Sequence, residues 1–200
     1  MPNTDAAFGF RPVQHLDGSP WNGKVTMYYV PSTYGTAIFV GDPVIADADA
    51  GAAGVTVNGI DVEGMPSIIA GTGTSTQTRG VVVGFLPNQA NLEQLHKPAS
   101  QARIALVCDA PDVVYEVQED SDGGAIAAAS VGMNADMITY AAGRTLTGRS
   151  LMEIDSSGVL STTAQWRVLG LSKRPGNILG SFAKWLVVLN EHSFKTTTGE

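Results

Sequence analysis

The sequence predicts an all-β protein: a β-sandwich or jelly-roll-like body of about eight or nine strands, carrying long loops and an extended N-terminal arm. Three observations point there. Apolar residues recur in short runs closed by Gly, Pro or Asp, as strands do between breakers. Helix-forming stretches are few and short. The first 23 residues set Phe8, Phe10, Pro12 and Trp21 among glycines and prolines, a composition that cannot fold without another surface to lie on. The chain therefore divides into a docking arm over 1–23 and a single β domain over 24–200.

Along the chain, Val25–Val30 ends at Pro31, Ala37–Val40 ends at Gly41-Asp42-Pro43, and Gly80–Leu86 ends at Pro87; each reads as a strand. Arg103–Cys108, Val113–Gln118, Leu151–Ile154, Trp166–Leu171 and Trp185–Leu189 continue the series. Residues 46–78 are poorest in bulky apolar side chains and read as a long loop or hairpin, with Val55, Val57, Ile60 and Val62 as a weak strand. Asn88–His96 could form one or two helical turns capped by Asn88 or Asn91, and Ser121–Ser130 has an Ala-rich stretch behind capping-type residues. No linker divides the domain, and no internal repeat is present.

A chain of 200 residues can bury roughly 70% of its unfolded surface, enough for a core without staples. The single Cys108 lies in an apolar run, cannot form an internal disulfide, and reads as a small buried hydrophobe compatible with a reducing cytoplasm. With a net charge of −7 and only 12 Lys plus Arg in no cluster, nucleic acid is an unfavoured partner, since phosphate binding depends on concentrated basic side chains. No apolar run approaches the roughly 18 residues of a membrane span. The N-terminus lacks the charged and apolar regions of a secretory signal. The expectation is a soluble protein. Charged residues form 16% of the chain, against about 25% in typical domains, a lightly charged surface suited to burial between subunits.

Candidates for chemistry are weak. His15, His96 and His192 are far apart with no ligand spacing, so a metal site would have to be assembled wholly by the fold. Asp47-Ala48-Asp49 and Asp120-Ser121-Asp122 resemble the opening of a calcium loop, but both fail at the third ligand and lack the closing Glu; they read as turns with local side-chain bonds. Gly71-Thr72-Gly73 begins a phosphate-loop pattern that breaks at Thr76 and opens no helix. There is no nucleophile elbow around any Ser. Glu116, Glu119, Asp120 and Asp122 read as solvated acids at a strand end and turn. The expectation is a protein that is not an enzyme and takes no cofactor, metal or small-molecule substrate. Trp166 and Trp185 begin apolar strands, so core packing is their commoner role and a sugar platform the sharper alternative. Trp21, outside any strand pattern, reads as an anchor for a partner's pocket.

Several segments resemble one family. Phe8-Gly9-Phe10-Arg11-Pro12-Val13, Gly18-Ser19-Pro20-Trp21-Asn22-Gly23, Phe39–Val44, Pro111–Asp120 and Ala183–Val187 are similar to tailed-bacteriophage structural cement proteins, also called head decoration proteins. The resemblance spans most of the chain and is least over 46–78 and 139–165. It implies a sandwich or jelly-roll-like body, made in the host bacterial cytoplasm, that oligomerises as a dimer or trimer. On the virion it would sit on the outer capsid surface, clamping junctions between major capsid protein subunits. It further implies that Phe8, Phe10, Arg11, Pro12 and Trp21 touch capsid or a neighbouring copy, and that residues 1–23 could be removed without unfolding the body. The alternatives are a tail or baseplate component, which would share this composition, and a carbohydrate-binding module using Trp21, Trp166 or Trp185.

Overall fold

Period-two alternation sorts the side chains of this chain into layers, and hydrogen-bond pairing of the strands sets the order of those layers. The computed structural model describes residues 3–73, 75, 77–139, 141–160 and 163–195. Among these there is no α-helix, only two short 3₁₀ turns at Ala128–Ser130 and Ser193–Lys195. The strands are β1 (Arg11–His15), β2 (Thr26–Val30), β3 (Pro43–Ala50), β4 (Thr56–Val57), β5 (Ile60–Asp61), β6 (Pro66–Ala70), β7 (Gly80–Phe85), β8 (Arg103–Cys108), β9 (Val113–Gln118), β10 (Asn134–Met137), β11 (Ile154–Leu160), β12 (Trp166–Leu171) and β13 (Lys184–Leu189).

They form an antiparallel six-stranded sheet in the order β1-β9-β13-β12-β10-β11, a closed five-stranded barrel β2-β6-β3-β7-β8, and the small β4–β5 hairpin. The barrel closes through a parallel contact at Tyr29 and Ser67. Tyr28, Val30, Val44, Ile68, Val82, Ala105 and Val107 gather one face of all five barrel strands into one core. The next residue along often faces the other way: Tyr29 and Ile104 pack with Val57 and Val62. Val81 and Cys108 join the six-stranded sheet in the largest core, around Phe10, Tyr115, Trp166 and Trp185. The β7–β8 wall is thus shared, apolar inside for the barrel and outside for the sheet.

The all-β class matches the sequence expectation, and the detail departs from it in several places. Residues 46–78, expected as loop or weak hairpin, supply most of β3, the β4–β5 hairpin and β6. Ala37–Val40 makes only isolated bridges, Ile38 to Lys97 and Val40 to Arg149. The Asp42 carboxylate takes the Phe39 N–H at 2.8 Å, and Gly41 at φ +102° turns the chain. Leu151–Ile154 contributes only its last residue, where β11 starts. Asn88 and Asn91 accept the N–H groups of Ala90 and Glu93 at 3.1 Å each, closing side-chain turns in place of helical ones.

Candidate functional site

The N-terminal segment lies on its own chain. Phe8-Gly9-Phe10 crosses the Gly41 corner so closely that a Cβ on Gly9 would meet the Ser150 Cβ at 2.6 Å and the Gly41 carbonyl oxygen at 2.8 Å. Glycine is required there both for space and for φ +76°. The Phe10 N–H donates to the Gly41 carbonyl at 2.9 Å. Its ring is 1% exposed and stacks on Trp166 at 4.2 Å between centroids. Arg11–His15 then pairs with β9 as the edge of the six-stranded sheet. A tight turn follows, held by the Asp17 carboxylate, which accepts the Ser19 N–H at 2.9 Å and hydroxyl at 2.6 Å. The chain returns over β1, where the Trp21 N–H reaches the Val13 carbonyl at 3.2 Å and the His15 N–H reaches Ser19 at 2.8 Å. These bonds cover an edge otherwise open to strand addition.

Two sequence expectations are corrected by this geometry. The Phe10 ring is a core side chain, 1% exposed, and not a free anchor on a loose arm. The described part of the segment, 3–23, is packed on the body and not extended from it, with Phe10 in its largest core and β1 at the edge of its largest sheet.

Phe8, Phe10, Arg11, Pro12 and Trp21 nevertheless converge, all five lining one surface cleft of about 430 Å³. It is also lined by Val82, Val83 and Leu106 of the barrel strands β7 and β8, and by Val40, Gly41 and Arg149. Phe8 is half-buried, with the Arg11 guanidinium 5.6 Å from its ring centroid. Arg11 also pairs with Glu116. The Trp21 indole packs on the core, and its enclosed N–H meets no acceptor among the described residues. The side chains Val82, Val83, Leu106 and Arg149 were not legible as site residues; Arg149 sits in a polar turn with no signal of its own.

The outer face of β9 is buried polar, not solvated. Glu116, 3% exposed, is held by Arg11, by Arg174 at 3.4 Å and by the Ser172 hydroxyl. Gln118 donates to Glu153 at 2.7 Å and Asp5 at 3.0 Å and accepts the Ala6 N–H at 3.1 Å. Burial, then Asp5 and Asp120, push Glu153 up to about 7 against the opposing Gln118 and Lys184. Glu119 is fully buried, accepts the Ile126 N–H at 2.6 Å, and burial raises its pKa.

The remaining candidates scatter. His15 pairs with Asp112 at 3.0 Å, and His96 stacks on Phe39 at 4.8 Å. Burial lowers His192 to about 4, with one ring nitrogen against the Asp109 carbonyl and the other accepting the Phe194 N–H. Asp120, Asp122 and Asp155 bring carboxylate oxygens within 4.8 Å of one another. The Asp120 oxygen accepts Ser156 N–H and hydroxyl at 3.0 and 2.8 Å, and Asp155 accepts Ser157 and Gly158 N–H groups, so both act as turn formers. Asp47 lies in β3 with its neighbour Asp49, whose side chain is outside the described residues, as is Thr76 of the Gly71–Thr76 pattern. Trp166 and Trp185, at 0% and 1% exposed, are core residues and present no sugar platform. Comparison with family models, curated proteins and solved structures gave no match for this chain.

Proposed function

We propose that this chain is a virion structural protein, a cement or decoration protein that binds the outer surface of a tailed-phage capsid and stabilises contacts between major capsid protein subunits. The observation that carries the reading is the convergence of the family-like segments. Phe8–Val13, Phe39–Val44, Pro111–Asp120 and Ala183–Val187 are remote in sequence, yet β1 pairs with β9, β9 with β13, and Phe10 hydrogen-bonds Gly41. The cleft that the first two of these segments border is mainly apolar and faces solvent. In this reading the six-stranded sheet packed on the barrel wall is the sandwich-like body, and Phe8, Arg11, Pro12 and Trp21 are contact residues. The partners are the major capsid protein and other copies of the same chain, as a dimer or trimer, on protein made in the host cytoplasm.

The physical basis is mass action on a lattice. Each copy adds binding free energy only to the assembled shell, so resistance to heat and internal pressure rises without chemistry. Oligomerisation makes modest single contacts multivalent. The test is sedimentation of the purified protein with expanded shells that lack it. Saturable, stoichiometric binding and a higher shell-disruption temperature are expected, both weakened in the Phe8→Ala/Trp21→Ala double variant. Absence of binding to well-formed expanded shells refutes the assignment and favours a tail or baseplate component.

A further inference from the structure

The cleft beside the N-terminal segment does not stop at Arg149. Across a ridge of Val40 and Arg149, which line both sides, lies a second cleft of about 330 Å³ walled by Phe85, Leu92, Leu95 and Thr147. The surface here is apolar: Leu92, Leu95 and Leu146, the last adjoining Thr147 in the chain, are 74%, 50% and 94% exposed. Exposed apolar side chains gathered at a concave site mark a contact surface.

Charge in the two clefts has one sign. Every ionisable residue lining either one is an arginine, Arg11, Arg103 or Arg149, on a chain whose net charge is −7. Two of the three have internal partners. Arg11 pairs with Glu116, and Arg103 donates to the Leu86 carbonyl and to Gln94 Oε1, both at 2.8 Å. The third, Arg149, is exposed, and its guanidinium has no hydrogen bond or ion pair among the described residues. Its backbone is fixed by the bridge to Val40 and by the Arg144 N–H, which donates to its carbonyl at 2.8 Å. A cation is thus mounted between two apolar pockets.

We propose that the paired clefts bind a single extended segment of a partner protein, one in which a carboxylate flanked on both sides by large apolar side chains sits on Arg149. The apolar groups fill the two clefts, and the carboxylate meets the planar guanidinium, whose paired N–H donors match its two oxygens. This deepens the docking reading above and rests on it only in taking the first cleft as a contact surface.

The test is selection from a displayed random nonapeptide library on the immobilised protein and, in parallel, on Arg149→Gln, which alters only an exposed side chain. Peptides with Asp or Glu between large apolar residues should be enriched on the parent chain alone. Synthetic copies should change the emission of Trp21, the one tryptophan outside the buried set, and bind Arg149→Gln about tenfold more weakly. Enrichment without acidic residues, equal enrichment on both proteins, or no enrichment overturns the proposal. So does self-association that Arg149→Gln abolishes, which would make the occupant a second copy. The two readings fail separately: shells bound equally by parent and Arg149→Gln would leave cementing intact and sink this inference. Arg149-dependent peptides with no shell binding would do the reverse.

Discussion

Replacing Phe10 with Ala removes a ring that is 1% exposed and stacked on Trp166 at 4.2 Å. Trp166 meets Tyr115 edge-on at 5.5 Å, so the vacated space would open against two more aromatics that the backbone of β9 and β12 holds in place. Burial and cavity together put the loss at about 3–5 kcal/mol, within which the stacking contributes roughly 0.5–1.5 kcal/mol. Unfolding entropy near 2.1 cal/mol/K per residue gives about 0.42 kcal/mol/K for this length, so melting should fall by roughly 7–12 °C. Phe8→Ala is the matched control two residues away. It is half-buried at the cleft and should shift melting by far less. The assay is calorimetry or near-ultraviolet circular dichroism, where Trp166 also reports loss of its stacked partner. A melting temperature for Phe10→Ala within about 2 °C of the parent would refute the placement of this segment in the core and restore the detachable arm.

Two further outcomes follow from the same contacts. Gly9→Ala and Gly18→Ala both force Ala into positive φ, +76° and +86°, but the new Cβ at Gly18 meets nothing within 4 Å while that at Gly9 meets Ser150 and Gly41. Chemical denaturation should find Gly9→Ala worse by about 1–3 kcal/mol, the cost of overpacking. Glu153, raised to about 7, favours its neutral form when folded. Its contribution is complete at pH below the ordinary carboxylate value of 4.5 and is lost as pH rises through about 7. Melting of Glu153→Gln should therefore lose less between pH 5 and pH 8, about its unfolded and folded ranges, than the parent does; parallel curves would remove Glu153 from this role.

What the sequence discloses follows the strength of local signals. β7, β8, β9 and β12 are runs of Val, Ile, Leu and aromatics between breakers, and they appear where that pattern puts them. β3 and β6 escape it because they lack bulk: β3 alternates Ala with Asp from Ala46 to Ala50, and β6 opens on Pro66 and puts the small Ala70 into the barrel core. β1 escapes it because its pairing is nonlocal, to residues about a hundred positions away, and Pro12 within it argues for an irregular segment. The burial of Glu116 was hidden for a similar reason. Arg11, Ser172 and Arg174 come from both ends of the chain, and nothing near Glu116 in sequence announces them. Four of the five contact residues chosen from the sequence keep some access to solvent; the fifth, Phe10, was chosen on the same aromatic signal that placed it in the core.

The integration of the segment changes the energetics expected of docking. A free arm from Phe8 to His15 would order on binding at about 1–2 kcal/mol per residue, or roughly 8–16 kcal/mol. Here that ordering has occurred on folding, through the β1–β9 ladder, the Phe10 stack and the Gly9–Gly41 crossing. Only exposed side chains such as Arg149 remain to be immobilised, at about 0.5–1.5 kcal/mol each. A preformed apolar cleft with a fixed cation can thus hold a partner through a small contact area, and substitutions that loosen the segment weaken binding through the population of the competent shape. Phe10, whose ring is turned into the core, would then influence docking mainly through the population of that shape.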